Sequence, residues 1–130
     1  MKITYQRIIF KKIFNVPLLI SFMVDYKIYR SPSFQKEVLK YNKFFQDRID
    51  KIENKLKSNP NYGNPLGTKW FRETRFEGYR VYYLVYENLK AVYMVAISSK
   101  KDQQRTINTL KLFLEFFSEE IKKLVEEDDT

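Results

Sequence analysis

Cysteine and histidine are both absent from the 130 residues. Without Cys there is no disulfide framework and no thiolate nucleophile, which fits a reducing compartment, and the cytoplasm is the expected location. Without His there is no imidazole to move a proton. Together the two absences remove the usual zinc and haem ligands and the usual nucleophile–imidazole triads. No metal or cofactor is expected, and any catalysis has to run on Arg, Lys, Glu, Asp, Tyr or Ser. Glycine is scarce as well: two of the three glycines, with two of the four prolines, fall in SNPNYGNPLG (58–67), a loop by composition. The apolar run Val16 to Val24 is too short to cross a bilayer. No small-x-small cleavage site separates it from Asp25-Tyr26-Lys27, so neither a membrane partner nor a leader is expected.

What is present points to one folded, basic domain. Hydrophobic residues make up 44% and aromatic residues 17%, enough to build a core at this length. The net charge of +8 is uneven. Residues 106–130 hold 3 basic and 7 acidic side chains, so residues 1–105 carry +12. A body this basic attracts a polyanion, most economically nucleic acid, although a solvated lysine-rich surface gives the same count.

Residues 1–22 fit the rest poorly. Two explanations stay open: an over-extended reading frame with Met23 as the functional start, towards which the pattern leans, or an extra amphipathic segment packed on a domain of residues 23–130. Val24 to Tyr29 reads as a strand, and Ser31-Pro32-Ser33 stops it and caps a helix. Phe34, Val38, Tyr41, Phe45, Ile49, Ile52 and Leu56 form a helical stripe. Spacing alone favours one long helix, while Tyr41-Asn42-Lys43 is where a pair would bend back. Ile107, Leu110, Leu114, Phe117, Ile121 and Leu124 give a last helix, whose face Phe113 and Phe116 widen. Between lies the stretch that organises the chain, Arg72 to Gln104, read as three strands and two tight turns. Gly78 is the residue expected to take a positive φ in the first turn. The order is β-α-α-β-β-β-α, an α+β domain.

With Glu77-Gly78 as a two-residue turn, Arg75 pairs with Arg80 and Glu73 with Tyr82, and these four side chains share a face. Two opposed arginines repel unless they are solvated, paired with an acid such as Glu73, or bridged by an anion such as phosphate. Ser98, Ser99, Lys100, Lys101, Gln103, Gln104 and Arg105 gather after the third strand. A helix start carrying cations and amides is a ready phosphate site. The acidic end of the last helix either covers the basic face or only keeps the helix soluble.

The segments NPLG, RETRFEGYRVYYLVY and AVYMVAISSKKDQQ, in that order and spacing, resemble the RelE/ParE superfamily of toxins from type II toxin–antitoxin modules, the addiction-module killer branch in particular. The resemblance runs from Val24 to about Leu110. It implies an antiparallel sheet with a helical pair on one face and a long C-terminal helix. It also implies a translation-inhibiting endoribonuclease that cuts mRNA on the ribosome without a metal, neutralised by a cognate antitoxin. The wide apolar face of the last helix leads to the expectation that this antitoxin lies against the helical pair or displaces the last helix. Arg80 matches the family's catalytic arginine, and Lys101 the basic position after the last strand. Glu73 and Tyr82 are the remaining catalytic candidates, and Arg72, Arg75, Lys100, Gln104 and Arg105 the expected RNA contacts. Phe71 and Glu73 stand where the ribosome-dependent type has paired lysines, and Ile107 replaces a tyrosine. The alternatives are a ParE-type poison that binds gyrase without nuclease chemistry and an inactive RNA- or protein-binding module.

Overall fold

The computed structural model describes residues 25–129. The readings of residues 1–22 and of Val24 therefore lie outside the described residues. In chain order the elements are β1 (Lys27–Arg30), α1 (Pro32–Val38), α2 (Lys43–Ser58), β2 (Asn64–Thr68), β3 (Phe71–Phe76), β4 (Tyr79–Tyr86), a 3-10 turn (Glu87–Leu89), β5 (Ala91–Ser99), α3 (Gln103–Leu112) and α4 (Leu114–Asp129). The five strands form one sheet in the order β1-β5-β4-β3-β2, antiparallel except for the parallel pair β1 and β5. The α+β class and the long C-terminal helix are as the sequence indicates.

Capping chemistry sets the helical pair. The Ser31 hydroxyl accepts from the Phe34 amide at 3.1 Å and Pro32 occupies the first turn, where its missing N–H costs nothing. The stripe from Phe34 to Leu56 is two helices, because the Asn42 carboxamide accepts from the Phe45 amide at 2.9 Å and starts a new one. Phe34, Val38, Phe45, Ile49, Ile52 and Leu56 are buried against Phe76, Val81, Tyr83, Val92 and Met94. Arg30 pins β1 to α2 with a two-pronged contact to Glu53, both bonds 2.8 Å.

The other face of the sheet carries α3 and α4. Ile107, Leu110, Phe117 and Ile121 cover Phe71, Tyr82, Leu84, Tyr93 and Val95. The chain is thus three layers, with two helices on each side of the sheet. The single long helix expected after Lys101 is two, broken at Phe113 (φ −110°). None of the described helices is long and apolar enough to cross a membrane.

Two further local expectations are corrected. The segment taken as loop contains β2, which pairs antiparallel with β3 (Asn64 with Glu73, Pro65 with Arg72). It is an edge strand, the place in a sheet where proline is tolerated. The positive φ of the β3–β4 turn falls on Glu77 (53°) and not on Gly78. Gly63 has a role that periodicity does not reveal. Its amide donates to the Tyr83 hydroxyl at 2.9 Å, and its carbonyl accepts two bonds from Arg72, at 3.1 and 2.7 Å. A Cβ there would sit 2.4 Å from the Glu73 carbonyl oxygen and 2.8 Å from the Tyr83 hydroxyl.

That close approach sets an expectation for stability. Gly63→Ala forces β2 away from β3 and is expected to cost about 2–3 kcal/mol, the range of an overpacked interior. Urea unfolding of the two proteins checks it, and an unchanged midpoint would mean the β2–β3 edge yields freely.

Candidate active site

The β3–β4 hairpin has the register that the two-residue turn requires: Arg75 opposite Arg80, Glu73 opposite Tyr82, Phe76 opposite Tyr79. On β5, Ser98 lies opposite Arg80 and Ala96 opposite Tyr82. An extra residue falls between them and the rest of the strand, since Tyr83 pairs with Met94 and leaves Val95 unmatched. Val95 and Ala96 consequently both belong with the α3–α4 layer, and the alternation shifts by one. The bulge delivers Ser98 to the face of Arg80 and Tyr82; an unbroken strand would turn it towards α1 and α2.

Glu73 is 1% exposed, and charge buried this deeply needs donors. Gln103 supplies its amide to both carboxylate oxygens, at 2.7 and 3.0 Å, and Arg75 Nε donates at 3.2 Å. Arg80 is 5% exposed. Its Nη1 donates to the Tyr79 carbonyl at 3.2 Å, while its buried Nε has no acceptor among the described residues. An orphaned guanidinium donor beside a second arginine is an arrangement that an anion completes.

Tyr82 is fully buried and shares a 2.8 Å hydrogen bond with Ser98. The Ser98 proton goes to the Ser99 carbonyl at 2.9 Å, so Tyr82 is the donor of the pair. Burial raises the phenol above 10.0, with Glu73 adding to the rise and Ser98 and Arg80 opposing it. Tyr82 therefore stays protonated near neutrality and donates to Ser98.

Glu73, Arg75, Arg80 and Tyr82 meet on one face as expected. Lys100 reaches the hairpin, its amide donating to the Gly78 carbonyl at 2.8 Å, and Lys101 follows it, both side chains exposed. Arg72 does not join them. It lies opposite Tyr83, facing away from the cluster, and its guanidinium is spent on the backbone carbonyls of Asn61, Gly63 and Lys69. Gln104 turns outward to Asn108 (3.0 Å), and Arg105 is exposed and paired with Asp102. Gln103 and Ser98 belong to the polar group expected after the third strand, but neither was among the catalytic or RNA-contacting candidates. The available signal was helical spacing: Gln103 is four residues before the buried Ile107 and so faces the sheet, as Gln104 and Arg105 do not.

The acidic end of the chain is elsewhere. Asp128 pairs with Lys27 and accepts from the Tyr29 hydroxyl at 2.8 Å, and Lys27 is in register with Ala91, at the opposite end of β5 from Ser98. The acidic tail does not cover the Arg75–Arg80 face.

Solved structures share this fold. The free form of a double arginine-to-alanine variant of the Escherichia coli toxin RelE superposes with a TM-score of 0.60 at 15% identity, over 69% of this chain and 99% of that one. The same variant in complex with a peptide of the antitoxin RelBc gives 0.53 at 15% identity, over 62% and 93%. The toxin–antitoxin complex RelBE2 from Mycobacterium tuberculosis gives 0.51 at 17% identity, over 59% and 93%. No protein-family model and no curated protein sequence matches the chain. At these identities the likeness establishes the fold.

Two expectations follow from the cluster. Gln103→Ala strips donors from the buried Glu73 and is expected to lower stability by about 1–3 kcal/mol, whereas the neighbouring Gln104→Ala stays within about 0.5 kcal/mol. Denaturant titration of the pair checks it, and equal losses would mean that Gln103 does not hold Glu73. The second concerns alkaline pH. Burial pushes Tyr86 up to about 12, and Tyr82, Tyr83 and Tyr93 are raised as well. Unfolded tyrosines release their protons near 10.0, so between pH 10 and 12 the unfolded chain binds fewer protons than the folded one, and stability falls as pH rises. Stability is expected to be free of this loss below pH 10. Phenolate absorbance and urea midpoints across that window measure it, and tyrosines that all titrate at 10 would contradict the buried setting.

Proposed function

We propose that this RelE-fold chain is the toxin of a type II toxin–antitoxin module and acts as a metal-independent mRNA endoribonuclease that stops translation. The observation that carries the proposal is Arg80: a buried guanidinium with an unused Nε donor, facing Arg75 across the hairpin. The fold shared with RelE toxins and with a toxin–antitoxin complex supports it, as does the basic body of the chain.

In the proposed reaction the RNA 2′-oxygen attacks the adjacent phosphorus, the bond to the 5′-oxygen breaks, and a 2′,3′-cyclic phosphate forms. Negative charge concentrates on the non-bridging oxygens of the phosphorane. Arg80, buried, and Arg75, more exposed, are proposed to meet that charge with their guanidinium donors. Lys101, exposed in the turn before α3, is the cation proposed to give a proton to the leaving 5′-oxygen. Glu73 is occupied by three donor contacts and holds Arg75 in place; it is a positioning residue. Tyr82 and Ser98 form the floor under Arg80. Among the described residues Glu73 is engaged by Gln103 and Arg75, and Tyr82 stays protonated, so the proposal gives removal of the 2′-proton to water and rests the reaction on electrostatic stabilisation. A cognate antitoxin restrains the toxin, in keeping with the complexes formed by its fold relatives.

Arg80→Lys keeps a cation but loses the forked Nε donor. It is expected to slow cleavage of mRNA in translating extracts by on the order of 10²–10³, with an unchanged circular-dichroism melt. Cleavage at the parental rate by a folded variant would refute the assignment. A parental protein that leaves mRNA intact and instead triggers a DNA-damage response would replace it with gyrase poisoning.

A further inference from the structure

A cleft of about 510 Å³ opens at the end of the sheet away from the Arg75–Arg80 pair, the size of a small-ligand site. Its walls are Asn61 from the loop after α2, Lys69 and Trp70 from the β2–β3 turn, and Tyr86, Glu87 and Asn88 from the end of β4 and the 3-10 turn. Trp70 is five residue steps from Arg75 along β3, about 17 Å at roughly 3.3 Å per residue, so the cleft is separate from the arginine cluster. Backbone contacts fix the walls. The buried Arg72 donates to the carbonyls of Asn61 at 3.1 Å and Lys69 at 2.8 Å. The Val85 amide donates to the Trp70 carbonyl at 2.8 Å, and the Lys90 amide to the Glu87 carbonyl at 3.2 Å. The carbonyls around the cleft are thus already used, and a guest meets side chains.

Those side chains are unspent. Among the described residues the Trp70 indole N–H, the Tyr86 hydroxyl and the carboxamides of Asn61 and Asn88 make no hydrogen bond. Burial pushes the Tyr86 phenol up to about 12, so it is a neutral donor. Lys69 and Glu87 are the two charged side chains of the wall, both exposed and neither in an ion pair among the described residues. We propose that this cleft binds a nucleotide, either free or as one residue of a single-stranded RNA. Trp70, 44% exposed, offers a face on which a base stacks. Each carboxamide carries donors and an acceptor, the set that a base edge requires. Glu87 can only accept, and takes the ribose hydroxyls, while Lys69 takes the phosphate. A peptide strand fits less well, because the backbone groups it would pair with are already bonded. The assignment does not rest on the nuclease reading, since none of these residues belongs to the Arg75–Arg80 face.

Trp70 is the only tryptophan of the chain, so its fluorescence reports on the cleft alone. The full chain is titrated with AMP, GMP, CMP and UMP, and with a short single-stranded oligoribonucleotide. Saturable quenching of Trp70 is expected. Quenching by a mononucleotide assigns the cleft to a free ligand, and quenching by the oligoribonucleotide alone assigns it to RNA; both support the proposal. Asn88→Ala and Glu87→Ala, exposed positions whose melts should match the parent, are expected to weaken the quenching ligand about fivefold or more. Trp70→Ala, followed by calorimetry, is expected to weaken it about tenfold. No quenching by any of the five probes would overturn the proposal, as would undiminished affinity in both Asn88→Ala and Glu87→Ala. Equal binding of ribose 5-phosphate, which lacks the base, would reduce the cleft to an anion contact and overturn it. Tighter binding of N-acetyl amino acid amides than of any nucleotide would overturn it in favour of a peptide.

Discussion

A carboxylate buried in the middle of a sheet face constrains everything around it. Glu73 is all but inaccessible, and its three donor contacts come from Arg75 on its own strand and Gln103 on a different layer. Taking one ion of such a group out of water costs several kcal/mol unless partners replace the solvent. Gln103 can reach Glu73 only if α3 begins immediately after the β5 turn and runs back over the sheet. The turn is fixed by its own bonds, Lys100 to the Gly78 carbonyl and Asp102 to Ser99. The apolar contacts of Ile107 and Leu110 then follow from where the helix starts. The C-terminal layer is thus placed by a polar requirement at one end and secured by burial along its length.

The β5 bulge does the complementary work on the sheet side. Two faces of one strand serve two cores, and a single unmatched residue, Val95, exchanges them part-way. Before the bulge Met94 serves the α1–α2 core and Tyr93 the α3–α4 core; after it Ile97 takes the first role and Ser98 joins the polar cluster. Burial would otherwise force Ser98 under the helical pair, and the Tyr82 hydroxyl would lose the acceptor it donates to. One inserted residue separates an apolar strand half from a polar one without breaking the ladder.

This explains how far the sequence was legible. A two-residue turn fixes the register of a hairpin completely, so Glu73, Arg75, Arg80 and Tyr82 could be placed on one face from Glu77-Gly78 alone. The helix stripes were legible because burial imposes their period. What failed was decided by contacts distant in sequence. Arg72 is basic and adjacent to the cluster in sequence, yet a strand alternates, and the loop carbonyls of Asn61, Gly63 and Lys69 are the partners it meets. β2 carries too much Gly and Pro to resemble a strand and exists because β3 offers a free edge. The positive φ settled on Glu77 because the twist of the two strands, not local preference, chose the turn. Gln103 and Gln104 are chemically identical, and only the helix phase set by Ile107 tells them apart.

The separation of charge has a further consequence. The acidic end of α4 is anchored at the β1 side, level with Ala91, while Arg80 is level with Ser98, seven residues further along β5. At about 3.3 Å per residue that is on the order of 20 Å. The Debye length at physiological ionic strength is about 8 Å, so the tail exerts little force on an anion at the hairpin. In dilute salt the two ends form an extended dipole and the tail opposes binding weakly; near physiological salt the hairpin acts alone. Nearby partners, not distant charge, therefore set the electrostatic surroundings of Arg75 and Arg80, and Glu73 is the acidic partner of Arg75. Because Gln103 neutralises part of the Glu73 hydrogen-bonding demand, Arg75 is left 58% exposed by side chain and held by a single contact. The buried carboxylate thus steadies Arg75, which stands opposite Arg80 on one face of the hairpin.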